Sequence, residues 1–215
     1  MEDSQQQRHL PAASSWIRCL AVVQFDVEVG HKLAYLNPPD LLSTVEQAKL
    51  KMLAMPDCNA AEIGSAFYCF RTRRQAAVPL FSGSVGPADF DYCYALFHQE
   101  ADAAVRRGYR QKSVVVVAAH PYVNLYKRIL QLLAPVYWGR SAEGAQAEVL
   151  DLAHAYLARW PEPVPGAEMD LPFFGESISF RVPTLHRIFG LNEGQASAEE
   201  APVGAAAAGG GCGGG

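Results

Sequence analysis

The side chains that could hold a metal ion or carry out acid–base catalysis are scattered along this chain. The six histidines show no HxH or HxxxH spacing, which would place two imidazoles on one metal; they are His9, His31, His98, His120, His154 and His186. We interpret them as structural or solvated residues. The sequence therefore predicts no catalytic residue, no cofactor and no metal site.

Five cysteines form an odd set without a CxxC pair, and three of them fall in apolar, strand-like runs; they are Cys19, Cys58, Cys69, Cys93 and Cys212. This pattern favours buried, reduced thiols over disulfides or zinc ligands. A glycine-containing segment, Ser82–Gly86, superficially resembles a phosphate loop. It lacks the following Lys-Ser/Thr and is followed by Pro87, so we predict a loop between two strands and no nucleotide site.

A basic segment is the first candidate for a protein-binding site. Arg106-Arg107-Gly108-Tyr109-Arg110-Gln111-Lys112 combines four cations with a tyrosine immediately before a strand. Arginine and tyrosine are enriched at the energetic centres of protein interfaces, so this composition suits a grip on a partner surface. The alternative is that the charges serve solubility or protect a strand edge. The candidate contacts here are Arg107, Tyr109, Arg110 and Lys112.

Two further places complete the candidate set. Asp26 and Glu28 lie in a turn and could contact basic residues of a partner, although a solvated acidic hairpin needs no function. Tyr122 precedes a helix that we predict Asn124 to cap. Tyr122 either packs inside the protein or points outward to a partner.

The elements that must position these residues begin with a predicted hairpin. Its strands are Ile17–Phe25 and Lys32–Leu36, joined by a turn in which Gly30 can adopt positive φ. Ser43 or Thr44 then caps a helix that ends at Pro56-Asp57. Its expected buried stripe is Val45, Ala48, Met52 and Met55.

Three more strands are predicted, at Gly64–Arg73, Phe90–Gln99 and Lys112–Ala119. The continuous apolar run Val114–Val117 indicates a strand buried on both faces, at the centre of the sheet. Two helices follow, one with an apolar stripe of Leu125, Ile129, Leu132, Leu133 and Val136, the other over Ala142–Trp160. Leu171–Pro183 is expected to be a strand at a sheet edge. The predicted fold class is α/β (α+β), in the order β-β-α-β-β-β-α-α, with a mostly antiparallel five-stranded sheet flanked by helices.

Composition limits the possible partners and the location. The chain has 215 residues, of which 50% are hydrophobic, and a net charge of −4, so it can bury a core and lacks the basic excess typical of nucleic-acid binding. No run approaches the length of a membrane span and residues 1–15 do not look like a signal peptide, so we expect a cytoplasmic protein. We predict disordered tails at 1–15 and at 191–215, with the domain at 16–190. The Ala/Gly-rich end reads as an interdomain linker or a truncated product.

Several motifs, in this order, resemble the upstream DENN segment of the DENN domain-containing protein 6 family. The similarity spans roughly Trp16 to Pro183 and rests on Cys19–Gly30, Met55-Pro56-Asp57, Phe67–Arg71, Arg107–Ser113 and His120–Leu125. The resemblance implies a longin-like fold and a role in vesicle trafficking, with the complete DENN unit acting as a guanine-nucleotide exchange factor (a guanine-nucleotide releasing factor) for Rab GTPases.

The partners that this resemblance implies are a Rab-family small GTPase and the remaining DENN lobes of the same protein, with peripheral recruitment to endosomal or other trafficking membranes. The central and downstream DENN segments are absent from this sequence, so full exchange activity is not expected of the chain alone. The alternative function is a longin-type adaptor or tethering module that binds trafficking proteins without exchange activity.

Overall fold

The computed structural model describes residues 16–56, 63–74 and 89–184. Both predicted disordered tails, the loop Ser82–Gly86, Cys58 and Cys212 lie outside these residues. The helices and strands are β1 Ile17–Asp26, β2 Gly30–Asn37, α1 Thr44–Leu53, β3 Gly64–Arg73, β4 Phe90–Ala101, β5 Tyr109–Ala118, α2 Val123–Trp138, α3 Glu143–Leu157, β6 Glu168–Phe173 and β7 Glu176–Arg181. None of the helices in this part of the chain has the length and apolar character needed to cross a bilayer.

Five strands form one sheet in the order β2-β1-β5-β4-β3. Each neighbouring pair is antiparallel, which confirms the predicted fold class. β5 lies at the centre, and every residue from Gln111 to Ala118 is buried. The run of valines predicted this central position correctly, because a strand that is covered on both faces needs apolar side chains on both sides.

Helices cover both faces of the sheet. On one face, Leu50, Ala54 and Met55 of the α1 region pack in a core with alternate residues of β1, β4 and β5, including Ala21 and Val115. On the other face, Val22 and Lys112 border α3, where Leu150 is buried. The sheet thus lies between two layers of helices, and connecting turns lie at the two ends of its strands.

The start of α1 was predicted correctly, but its buried stripe was not. Ser43 caps the helix: its hydroxyl accepts a hydrogen bond from the Glu46 amide, and the Glu46 carboxylate accepts one from the Ser43 amide. Val45, Ala48 and Met52, three of the four residues of the predicted stripe, are exposed, and Met52 is 65% exposed. The helix instead buries Leu50, together with the Glu46 of its capping box.

Helix α2 begins differently from the prediction. Tyr122 occupies the N-cap position and no side chain caps the helix, so Asn124 lies inside the first turn and is not the cap. The predicted stripe is confirmed at Leu125, Ile129 and Leu133.

The last predicted strand is part of a hairpin of two strands. The segment from Leu171 to Pro183 was expected to be one strand at a sheet edge, but it contains the end of β6 and all of β7, which pair with each other in a separate two-stranded sheet. An aromatic cluster holds this hairpin in place: Trp16 contacts the rings of Tyr122, Trp160 and Phe180. The alternating pattern correctly indicated extended backbone, but it carries no information about which surface covers the apolar side.

Candidate partner-binding surface

Two turns meet at one end of the sheet. The β1–β2 turn follows Asp26, and the β4–β5 turn runs between Ala101 and Tyr109. Because β1 and β5 are antiparallel neighbours, with Gln24 opposite Lys112, the end of β1 lies beside the start of β5. The topology therefore brings together the acidic and the basic candidates that the sequence placed about 80 residues apart.

The β1–β2 turn is held by its own aspartate. Asp26 Oδ1 accepts hydrogen bonds from the amides of Glu28 at 2.8 Å and Val29 at 3.1 Å, and these bonds lower the pKa of the carboxyl. Gly30 takes φ +84°, as predicted. The exposed tip consists of Val27, Glu28 and Val29, and Val29 is 74% exposed. Asp26 thus shapes the turn, while Glu28 and the valines face outward.

The β4–β5 turn has the same kind of organiser. Asp102 accepts a hydrogen bond from the Ala104 amide at 2.9 Å and forms an ion pair with Arg110 at 2.5 Å. Gly108 takes φ +78° and closes the turn through backbone bonds to Asp102 and Val105. Asp102 was not among the predicted site residues. The available signal was an aspartate at a strand end with a glycine later in the same turn, as at Asp26 and Gly30, although the spacing between the two residues differs.

A cleft of about 410 Å³ lies between the two turns and the start of α3. We call it the turn cleft and define it by its lining residues, which are Gln24–Glu28, Ala104–Arg106, Arg110, Lys112 and Glu143. Its lining combines three carboxylates, three cations and the apolar side chains of Phe25, Val27 and Val105. A protein interface as a whole has about the same mixture of charged and apolar groups as the rest of the surface, so this composition permits an interface here without identifying one.

Arg107 connects the β4–β5 turn to the end of β1. Its guanidinium carbon lies 4.2 Å from the centre of the Phe25 ring, a cation–π contact. Tyr109 is half-buried and pairs with Ala101 at the start of β5, next to the turn cleft but not among its lining residues. Both candidates therefore lie at the same end of the sheet as Asp26 and Glu28.

Two of the seven candidates are buried, so neither contributes outer surface. Lys112 is 5% exposed and its Nζ donates to Gln146 Oε1 of α3 at 3.0 Å, at the base of the turn cleft. Burial lowers the pKa of Lys112, nearby Arg110 lowers it further, and Glu143 opposes this shift. Tyr122 follows the opposite end of β5 and is buried among aromatic rings, and burial raises its pKa. The packing alternative describes Tyr122, and we do not include it in the proposed surface.

The cysteines divide into two kinds. Cys19 and Cys93 are free and buried, as predicted, and burial raises the pKa of the Cys93 thiol to about 12. Cys69 is free but exposed, so the prediction of burial was wrong there. It lies on β3, an outer strand of the sheet. Within the described ranges, no group of three or more His, Cys, Asp or Glu side chains could hold a metal ion.

Comparison with known proteins gives a consistent set of relatives. No family model matches the chain. It is 33% identical over 187 residues to "Protein DENND6A" of Gallus gallus, which covers 80% of this chain and 31% of that protein. It is 30% identical over 168 residues to "Protein DENND6 homolog" of Dictyostelium discoideum, and the match covers 78% of this chain and 22% of that protein. It is 31% identical over 189 residues to "Protein DENND6B" of Homo sapiens, and the match covers 80% of this chain and 31% of that protein. The chain thus spans less than a third of the length of these curated relatives.

Proposed function

Because the chain belongs to the DENN domain-containing protein 6 family, we propose that it is the upstream lobe of a DENN-type exchange factor that binds a Rab-type GTPase. Its binding surface is the turn cleft with the exposed tip Val27–Val29. Full exchange activity then requires the further DENN lobes, since the chain corresponds to less than a third of its relatives. We place the protein in the cytoplasm, recruited peripherally to endosomal or other trafficking membranes.

The observation that carries the binding surface is the preorganisation of the two turns. Each turn is fixed by an aspartate that accepts backbone hydrogen bonds and by a glycine at positive φ. A surface that is already ordered loses less conformational entropy on binding, so more of its contact energy appears as affinity. The exposed valines supply apolar area, and Glu28 and Arg106 supply charges of both signs beside it.

The proposed activity needs no acid, base or metal from this chain. An exchange factor binds the nucleotide-free GTPase more tightly than the nucleotide-bound form. By linkage, it lowers the affinity of the GTPase for nucleotide by the same factor. The requirement on this lobe is a shaped surface that distinguishes the two states.

The first experiment measures binding of the full chain to purified Rab GTPases in nucleotide-free, GDP-bound and GTPγS-bound forms. We expect tightest binding to the nucleotide-free form of at least one Rab. Glu28→Lys and Arg106→Glu should each weaken it by about tenfold, or about 1.4 kcal/mol. Glu162→Lys and Arg159→Glu are the matched controls, because these charges are also exposed but lie beyond the opposite end of α3 from the turn cleft.

A second experiment measures release of fluorescent GDP, comparing the chain with a longer version that carries the further lobes. Acceleration by the longer version alone is the expected result. If no Rab responds to the longer version, the exchange function is wrong. Binding that ignores nucleotide state would favour the adaptor or tethering function.

A further inference from the structure

Lys112 is a buried ammonium at the base of the turn cleft. It lines both that cleft and a cavity of about 60 Å³ under α3. The ammonium has three N–H donors, and Gln146 Oε1 is its hydrogen-bond acceptor among the described residues. The ion pairs in this part of the chain do not include Lys112. A buried cation with free donors is costly unless an anion or another acceptor reaches it.

The surroundings of Lys112 favour a singly charged anion over a doubly charged one. The first turn of α3 lies beside it, the helix N-cap Ala142 forms no side-chain cap bond, and a helix N-terminus carries partial positive charge. Arg106, which is exposed, also lines the cleft and has no partner in the described structure. Against these stand the carboxylates of Asp26, Glu28 and Glu143, which repel a doubly charged phosphate more strongly than a singly charged carboxylate.

We propose that the turn cleft contains a carboxylate-binding subsite, with Lys112 Nζ as its buried cation and Arg106 at its opening. The occupant is an Asp or Glu side chain of the bound GTPase, an identification that rests on the proposed function. Insertion of the carboxylate gives the Lys112 ammonium a charged acceptor in addition to Gln146 Oε1 and excludes water from the ion pair. A desolvated pair of this kind contributes to specificity because a partner that covers the cleft without a carboxylate removes water from the ammonium and offers no anion in its place.

The subsite can be tested without any GTPase. The full chain, labelled with ¹⁵N, is titrated with N-acetylglutamate N-methylamide at constant ionic strength, and the lysine ammonium and backbone amide signals are followed by NMR. We expect a saturable shift of the Lys112 ammonium and of the amides of residues 104–106 and 143. The neutral glutamine analogue should produce no such shift, and inorganic phosphate should bind at least about threefold more weakly.

Variants locate the effect. Lys112→Met keeps the length of the side chain and removes the buried charge, and it should abolish the saturable shifts. Lys49→Met, at an exposed position on α1, is the matched control and should preserve them. Arg106→Gln changes an exposed side chain and leaves the core intact, so it tests the same subsite if Lys112→Met does not fold. It should weaken binding of the probe at least about threefold.

A GTPase arm separates this inference from the proposed function. For a Rab that binds the chain, Lys112→Met should weaken binding at least about tenfold. If the probe leaves Lys112 unshifted, or phosphate binds more tightly than the carboxylate, the subsite is refuted while Rab binding stands. If no Rab binds but the carboxylate saturates Lys112, the proposed function fails and the occupant assigned here fails with it.

Discussion

Replacement of Asp91 by asparagine should destabilise the fold far more than the same change at an exposed aspartate. Asp91 lies at the start of β4 and is 1% exposed. Its carboxylate forms ion pairs with Arg18 of β1 and, at 2.7 Å, with Arg74, so it connects two strands that lie on either side of β5. Asparagine has nearly the same shape, so the substitution removes charge and leaves packing in place.

The magnitude follows from the burial of each partner. Removing one member of a buried ion pair typically costs about 3 to 5 kcal/mol, because the remaining charge is left uncompensated. The side chains of Arg18 and Arg74 are 22% and 29% exposed, so both recover part of their hydration. We therefore expect a loss of about 3 kcal/mol in the free energy of unfolding for Asp91→Asn. For a domain of this size that corresponds to roughly 6 to 12 °C in Tm.

Urea unfolding followed by circular dichroism measures this loss. The control is Asp170→Asn, because Asp170 is exposed on β6 and surface changes usually stay within about 0.5 kcal/mol. A double-mutant cycle with Arg18→Met should show non-additivity of about 1 kcal/mol, since the two residues share one interaction. If Asp91→Asn lies within about 1 kcal/mol of Asp170→Asn, the ion pairs do not stabilise the sheet and the reasoning is wrong.

Three further predictions test burial. In urea titrations, Met52→Ala should change the free energy of unfolding by less than about 0.5 kcal/mol, whereas Leu50→Ala should lower it by about 2 to 4 kcal/mol. The reason is that Met52 is 65% exposed and Leu50 is 2% exposed. Equal losses would contradict the orientation of α1. In a brief iodoacetamide pulse read by peptide mass spectrometry, Cys69 should react at least about a hundredfold faster than Cys93, whose alkylation requires local opening. Burial lowers the pKa of His154 in the folded protein below its ordinary value of 6.5. At acidic pH the unfolded chain therefore binds more protons than the folded protein does. The free energy of unfolding then falls as pH drops below about 6.5, by at most about 1.4 kcal/mol per pH unit. His154→Gln should flatten that slope in urea titrations from pH 5 to 8, and an unchanged slope would assign the pH dependence to other groups.

The parts of the fold that were predicted correctly are those that depend on local sequence patterns. The Val114–Val117 run identified the central strand, and Ser43 identified the start of α1, because each signal depends on residues that are neighbours in sequence. The buried side of α1 was predicted wrongly because Val45 and Met52 do form an apolar stripe, but the helix packs through Leu50 and the Ala54–Met55 segment that follows it. Periodicity identifies an apolar face and cannot say whether the sheet or another surface covers it.

The same distinction explains the candidate site. Asp26, Glu28 and the segment Arg106–Lys112 were chosen for composition, and the antiparallel pairing of β1 with β5 brings them to one end of the sheet. Composition could not show that Lys112 is buried, since that depends on α3 packing on β1 and β2 beside the start of β5, which brings Gln146 to a lysine about 30 residues earlier in the sequence.

The charged side chains around the turn cleft fall into two groups, those that already have a partner within their own turn and those that do not. Asp26 is occupied by two backbone amides and Arg110 by Asp102, so neither can change partners without loosening its own turn. Glu28 and Arg106 have no such commitment in the described structure, and they are exposed. A partner can therefore form new ion pairs with these two without breaking existing ones. For this reason substitutions at Asp26 or Arg110 should affect binding through the shape of the turns, while charge reversal at Glu28 or Arg106 should act on the contact itself.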